Sequence, residues 1–438
     1  MKIILAANQL MGHLNPLLAI GRILIEEGHE VVGVCGSTMR ARIEKIGARF
    51  VPFPEGADQD LSNPAALYPE FATMPPGFDK ARYSIERLFV DTLLAQHAGL
   101  ASVLSWFPAD VIIAENLLMG VLPMLLGDPS QRPPIITCGT TYLLWRRQDG
   151  APVLGGFAPA ETKADRIGYG LVSVRCEASL MEPTRRAVDA RLREIGVPPL
   201  DANVFDSLTN LPDAYLQLTT PSFEFPRDDL PETVHFVGPL PIVPNQAPIP
   251  SWAHELDGSR KVVLVTQGSV ANYDFTELVT PTMEALADEE DVLVIVTCGG
   301  RPTDAIPGLI PANARLADYL PFEWLLPKVD VFVTNGGYGS VNQALSHGIP
   351  LVTAGMTEDK ADVNARVSWS GVGIDLQTHR PSPTALRDAV RAVLDAPIYR
   401  SRATEIAREM QGIDTRARLL EIIAEVTAPA MAGQRQAA

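Results

Sequence analysis

The chain has 438 residues, 46% of them apolar and 6% aromatic, and a formal net charge of -16. That length exceeds one hydrophobic core and points to two domains of about 200 residues each, with the composition of an ordinary globular protein. The acidic balance argues against a nucleic-acid or anionic-membrane partner, while leaving room for a local basic pocket.

Cys35, Cys138, Cys176 and Cys298 are scattered, with no CxxC and no His/Cys cluster. No metal site and no disulfide framework is expected, and a reducing, cytoplasmic setting fits. The apolar start of MKIILAANQLMGHLNP is too short for a secretory leader and no small-residue cleavage site follows it. No apolar run reaches the ~18 residues that would span a bilayer.

In chain order, KIILAA reads as a buried strand, followed by a helix that starts at Asn15-Pro16 and ends at Gly28. Strand EVVGVCG, helix RARIEKIG and strand ARFVPFP come next. Helix IERLFVDTLLAQHAGLASVLSWF, strand DVIIAE, helix LLMGVLPMLLG and strand PIITCG complete the pattern. This alternation predicts a doubly wound parallel sheet. Tyr68 to Tyr83 and Leu143 to Thr162 show little periodicity and are candidate binding loops.

Residues 221–250 are dense in proline, which suits neither a helix nor a central strand, and are expected to link a first domain (1–220) to a second (251–410). The second domain restarts the alternation with strands KVVLVTQGS, VLVIVTCGG, ARLADYLP, VFVTNGG and PLVTAG. A last helix over 411–428 is expected to pack back on the first domain, with 429–438 as a tail.

Two loops put glycine and serine at the carboxyl end of a strand. Gly268 and Ser269 follow KVVLVTQ; Gly336, Gly337, Gly339 and Ser340 follow VFVTN. Ligands of open α/β sheets bind at that end, and a helix N-terminus with close-approach glycines suits a diphosphate. His13 follows the first strand at a helix entrance, where the neutral form that a general base needs is favoured. Glu115 ends strand ADVIIAE and can orient the His13 ring.

Together these residues resemble the nucleotide-sugar-dependent glycosyltransferases of family 1, of the GT-B fold. The resemblance covers nearly the whole chain, through MGHLNP, HFVGPL, VTQGS, TNGGYGSVNQALSHGIPLV and NARVSWSGVGIDL. It implies two Rossmann-like domains facing a cleft, the first for an acceptor and the second for a nucleotide sugar. It implies inverting transfer with His13 as base and Glu115 as its partner, and no tightly bound cofactor or metal. Asn335 stands where the family has a histidine toward the diphosphate, and Gln343 where it has a ribose-binding glutamate. Tyr319 and Leu320 fall in the base-binding loop, with Tyr319 in place of a stacking tryptophan and Phe322 in place of a glutamine. Glu115 replaces the family's aspartate. Asp359-Lys360 replaces an Asp/Gln pair that holds sugar hydroxyls, in a segment one residue longer before Asn364. TEDKADVNAR looks most like actinobacterial members acting on small hydrophobic or lipid-like acceptors.

The expected reaction is transfer of glucose from UDP-glucose, or of a sugar from a dTDP-sugar, to a phenolic, polyketide, macrolide or lipid hydroxyl, by a monomer or homodimer. A sugar-nucleotide epimerase of the same architecture and a non-catalytic nucleotide-sugar-binding protein are the alternatives. The missing GxGxxG after the first strand disfavours a dinucleotide oxidoreductase.

Overall fold

The computed structural model describes residues 1–61, 67–242, 247–268 and 272–437. The chain builds two parallel sheets. The first holds β1 (Lys2–Ala6), β2 (Glu30–Cys35), β3 (Arg49–Pro52), β4 (Val111–Glu115), β5 (Ile135–Gly139), β6 (Ala214–Gln217) and β7 (Val234–Phe236) in the order β3-β2-β1-β4-β5-β6-β7. The second holds β8 (Lys261–Thr266), β9 (Val292–Thr297), β10 (Ala314–Ala317), β11 (Val331–Thr334), β12 (Leu351–Thr353) and β13 (Gly373–Asp375) in the order β10-β9-β8-β11-β12-β13.

The apolar strand runs follow from burial on both faces. In β8, Val262 and Leu264 join one buried cluster while Val263 and Val265 join another; in β9, Leu293 and Ile295 alternate with Val292, Val294 and Val296 in the same way. The first of these clusters continues from the second sheet into the first domain. The two domains therefore share a buried seam.

Each sheet reverses its winding once. In the first, the chain moves outward from β1 to β3 and then returns to place β4 on the other side of β1. In the second, β11 returns to the free side of β8. Adjacent loops diverge at such a point and leave a crevice at the carboxyl ends of the strands. His13 follows β1 and Glu115 ends β4; Gly268 and Asn335 follow β8 and β11. Both pairs thus sit at reversals.

Several elements differ from the sequence expectation. The first helix spans Met11–Glu26 with Pro16 inside it. Leu10 is extended, and its carbonyl accepts from the His13 and Leu14 N–H groups at 3.0 and 2.9 Å, so the helix begins before the proline. Only the one bond that the Pro16 nitrogen would have made is lost. Within the proline-dense segment, Val234–Phe236 pairs with β6 as an edge strand, extending the first sheet beyond residue 220. Proline is excluded from central strands and not from the neighbourhood of an edge. The stretch from Tyr68 to Tyr83 is not a loop throughout, since Phe78–Ile85 is helical. Helices Lys163–Cys176 and Glu182–Glu194, between β5 and β6, were not anticipated.

The last helix runs Thr415–Ala437, past the expected tail boundary. It lies on the first domain, where Arg416 pairs with Glu26 at 2.7 Å and with Glu27 at 2.5 Å. One helical stretch, Phe78–Trp106, has the length and composition of a membrane span, but half of its most apolar window is packed inside the protein, as in a core helix.

Candidate active site

The helix that starts at Met11 carries His13 in its first turn, over the end of β4. His13 Nδ1 lies 2.9 Å from Glu115 Oε2. Glu115 is buried and held by further donors: the Leu117 N–H reaches Oε2 at 2.7 Å and the Asn8 amide reaches Oε1. Asn8 in turn accepts from the Gln96 amide at 2.7 Å, and Gln96 accepts from the Gly120 N–H at 3.0 Å. The carboxylate is thus fixed from several sides, which fixes the ring plane of His13. A hydrogen bond from Nδ1 to a carboxylate leaves Nε2 with its lone pair free for a proton.

The expected bias of His13 toward the neutral form is overturned. Burial lowers its proton affinity, but the charge and hydrogen bond of Glu115, with a contribution from the charge of Asp359, outweigh burial, and the net shift is upward from 6.5. Asp359 belongs to the second domain, so the charge balance of His13 depends on both domains. Thr141, just after β5, donates to Asp359 Oδ2 at 2.5 Å. Burial raises the Asp359 carboxyl, and Thr141 and His13 pull it back.

Across the cleft, helix Tyr338–Ser346 follows β11 with Gly337 at its cap and no side-chain cap bond. Among the described residues no side chain caps its first N–H groups. A Cβ added at Gly337 or Gly339 would meet nothing within 4 Å. Gly336 is different: its φ is +93°, and a Cβ there would lie 1.8 Å from Asn364 Oδ1. Gly336→Ala is expected to destabilise the fold by more than ~1 kcal/mol, whereas Gly339→Ala should leave stability unchanged or raise it by up to ~1 kcal/mol. Denaturant midpoints of the two variants check the contrast.

The remaining expected residues fall as follows. Gly268 has φ +74°, and its backbone packs on Gly299, where an added Cβ would lie 2.1 Å from the Gly268 carbonyl oxygen. Ser269 lies outside the described residues. Ser340 and Gln343 are half-buried on the glycine-capped helix. Tyr319 is 48% exposed with its ring against Gly300. Leu320 is fully buried, so only its backbone can face a ligand. Asn335 spends an amide N–H on the Gln267 carbonyl at 2.8 Å, tying the two glycine loops together. Lys360 is buried beside Glu358.

Residues 281–426 match the family described as erythromycin biosynthesis protein CIII-like, C-terminal domain. Over 407 residues the chain is 38% identical to the 4'-demethylrebeccamycin synthase of Lentzea aerocolonigenes, covering 92% of this chain and 94% of that protein. It is 32% identical to UDP-glucosyltransferase B1 of Starmerella bombicola, over 93% of this chain and 94% of the relative. The chain belongs to the nucleotide-sugar-dependent glycosyltransferases of family 1. The solved calicheamicin glycosyltransferase CalG4 superposes with a TM-score of 0.72 at 21% identity, over 98% of both chains, and shares the GT-B fold.

In this glycosyltransferase, sequence reasoning missed the contacts that lock the two domains. Arg366 is 2% exposed by side chain and Glu224 1%, and they form an ion pair between the domains. The Arg366 guanidinium also stacks 4.3 Å from the Tyr142 ring and 4.1 Å from the Phe225 ring. Asp362 accepts from the Gly155 and Gly156 N–H groups at 3.1 and 2.9 Å, anchoring the 143–162 loop to the second domain. Burial pushes the Asp362 carboxyl up to about 6. Tyr142 and Trp145, near the start of that loop, are core residues. A signal was available: Asp362 and Arg366 stand one helical turn apart in ADVNARVSW, and charges among apolar positions need partners.

Proposed function

We propose that this glycosyltransferase moves glucose from UDP-glucose to a hydroxyl of a small apolar acceptor, with inversion at the anomeric carbon. The observation that carries the reading is the His13–Glu115 pair at one sheet reversal, under the charge of Asp359 from the other domain. The acceptor hydroxyl gives its proton to His13 Nε2 as its oxygen attacks C1 of the sugar. The C1–O bond to the diphosphate breaks, and the nucleoside diphosphate leaves with the bonding electron pair. One displacement from the opposite face inverts the configuration. Glu115 stabilises the imidazolium as it forms.

The diphosphate is assigned to the open N-terminus of helix Tyr338–Ser346, with the positive end of the helix toward it. The nucleoside then extends over Gly268 toward Gly300 and Tyr319, whose exposed ring offers a stacking face. The acceptor is assigned to the first domain, along the loop that Asp362 anchors. The name of the first relative above supports a natural-product acceptor, and that of the second supports a UDP-sugar donor.

The test is incubation with UDP-glucose or dTDP-glucose and a panel of phenols, indoles, polyketides and hydroxylated lipids, read by mass spectrometry. A gain of one hexose with UDP-glucose, in the β configuration by NMR, is expected. Transfer from dTDP-glucose alone would replace the donor assignment, and an α product would overturn the single displacement.

A further inference from the structure

β11 and β12 pair in parallel with Thr334 opposite Thr353, so the segments that follow them run side by side over the sheet. One carries Asn335 and the glycines; the other carries Gly355 and, five residues on, Lys360 at the start of helix Lys360–Trp369. Gly355 marks how close they come. A Cβ at that position would lie 2.1 Å from the Asn335 carbonyl oxygen and 3.0 Å from Lys360 Cδ. The stem of Lys360 therefore passes alongside the glycine segment.

That segment lacks a full positive charge of its own. Asn335 is neutral and its amide is engaged with Gln267. The helix end contributes the equivalent of roughly half a charge, against a diphosphate carrying two or more. Lys360 is the opposite case: a cation only 6% exposed, in a place where lysines are rarely found unless paired. Its ammonium pairs with the Glu358 carboxylate and lies 3.5 Å from Thr357 Oγ1. Burial lowers its pKa to about 8 against the weaker opposing pull of Glu277, which leaves it mostly charged at neutral pH. Glu358 is a loosely held partner. Its side chain is 61% exposed and its backbone has φ +54°, a conformation that costs a non-glycine residue of order 1–3 kcal/mol.

From this geometry we infer that Lys360 is the cation that binds the donor's diphosphate, and that Glu358 holds its place until the donor arrives. The phosphate oxygens replace the Glu358 carboxylate on the ammonium. Lys360 then carries part of the charge that develops on the leaving group, a role that a charged donor fills better than a neutral amide. The inference rests on the donor site assigned above.

Calorimetric titration of wild type, Lys360→Met, Lys360→Arg and Glu358→Gln with UDP, dTDP, UDP-glucose and uridine tests it. Lys360→Met is expected to weaken UDP by ~10–100-fold, the range of a charge-assisted bond, and uridine by less than about twofold on the same scale. Lys360→Arg should recover part of the loss, which a damaged fold would not, and Glu358→Gln should tighten UDP. A Lys360→Met protein that binds UDP as wild type does overturns the inference alone. So does one that weakens UDP-glucose but not UDP, since Lys360 would then serve the sugar. Wild type that binds neither UDP nor dTDP overturns the donor site itself.

Discussion

Replacing His13 by alanine is expected to lower kcat by ~10²–10⁴, the usual contribution of a general base, or about 3–5 kcal/mol of barrier. Donor affinity should stay near wild type, because His13 stands on the first domain and the donor site on the second. Initial rates together with UDP titration check both halves. Unchanged turnover would remove His13 from the chemistry, and lost donor binding would mean that it serves the donor instead. The pH profile adds a second readout. A general base works deprotonated, so kcat/KM should rise with pH through the His13 pKa, with a midpoint above 6.5 because Glu115 and Asp359 outweigh burial. In Glu115→Gln the burial remains while its largest opposing charge is gone. The midpoint should then move to lower pH, and the plateau should fall because the imidazolium formed in the transition state has lost its counter-charge. A midpoint that stays in place would show that another group sets the profile.

These features were legible in the sequence because they depend on chain order. A residue that ends a parallel strand or opens the next helix sits at the carboxyl edge of the sheet, whatever the rest of the protein does. That rule placed His13, Glu115, Gly268 and the Gly336–Ser340 segment. The direction of the His13 shift was not legible, because the competition between burial and Glu115 is a matter of distance. Nor was the Leu320 side chain, whose burial follows from its packing in the apolar cluster that spans both domains. Helix Lys163–Cys176 was obscured by Gly168 and Gly170, which weaken the helical signal. Pro16 misled because proline marks a first turn statistically, while the hydrogen bonds to Leu10 decide where this helix starts. The domain seam was the deepest omission. Glu224 and Arg366 are 142 residues apart, and nothing local to either names the other.

Breaking that seam should have the largest effect on stability. In Arg366→Met the Glu224 carboxylate keeps the Leu143 N–H at 3.0 Å and the Phe225 N–H at 3.2 Å, but loses its counter-ion in a place from which water is excluded. Removing one partner of a buried pair costs ~3–5 kcal/mol, because the other charge stays behind. The loss of stacking on Tyr142 and Phe225 adds to it. The double variant Glu224→Gln/Arg366→Met removes both charges and should recover a large part of the loss, since the desolvation cost of each ion disappears with it. Denaturant unfolding of the two variants tests this, and a single variant as stable as wild type would show that the pair contributes nothing. The consequence for function follows from position. Arg366 lies on the helix that begins at Lys360, directly after Asp359, and Asp362 on the same helix anchors the first-domain loop through Gly155 and Gly156. Weakening the seam therefore loosens the distance between Asp359 and His13. At temperatures where Arg366→Met is still folded, its kcat should fall more than its affinity for UDP.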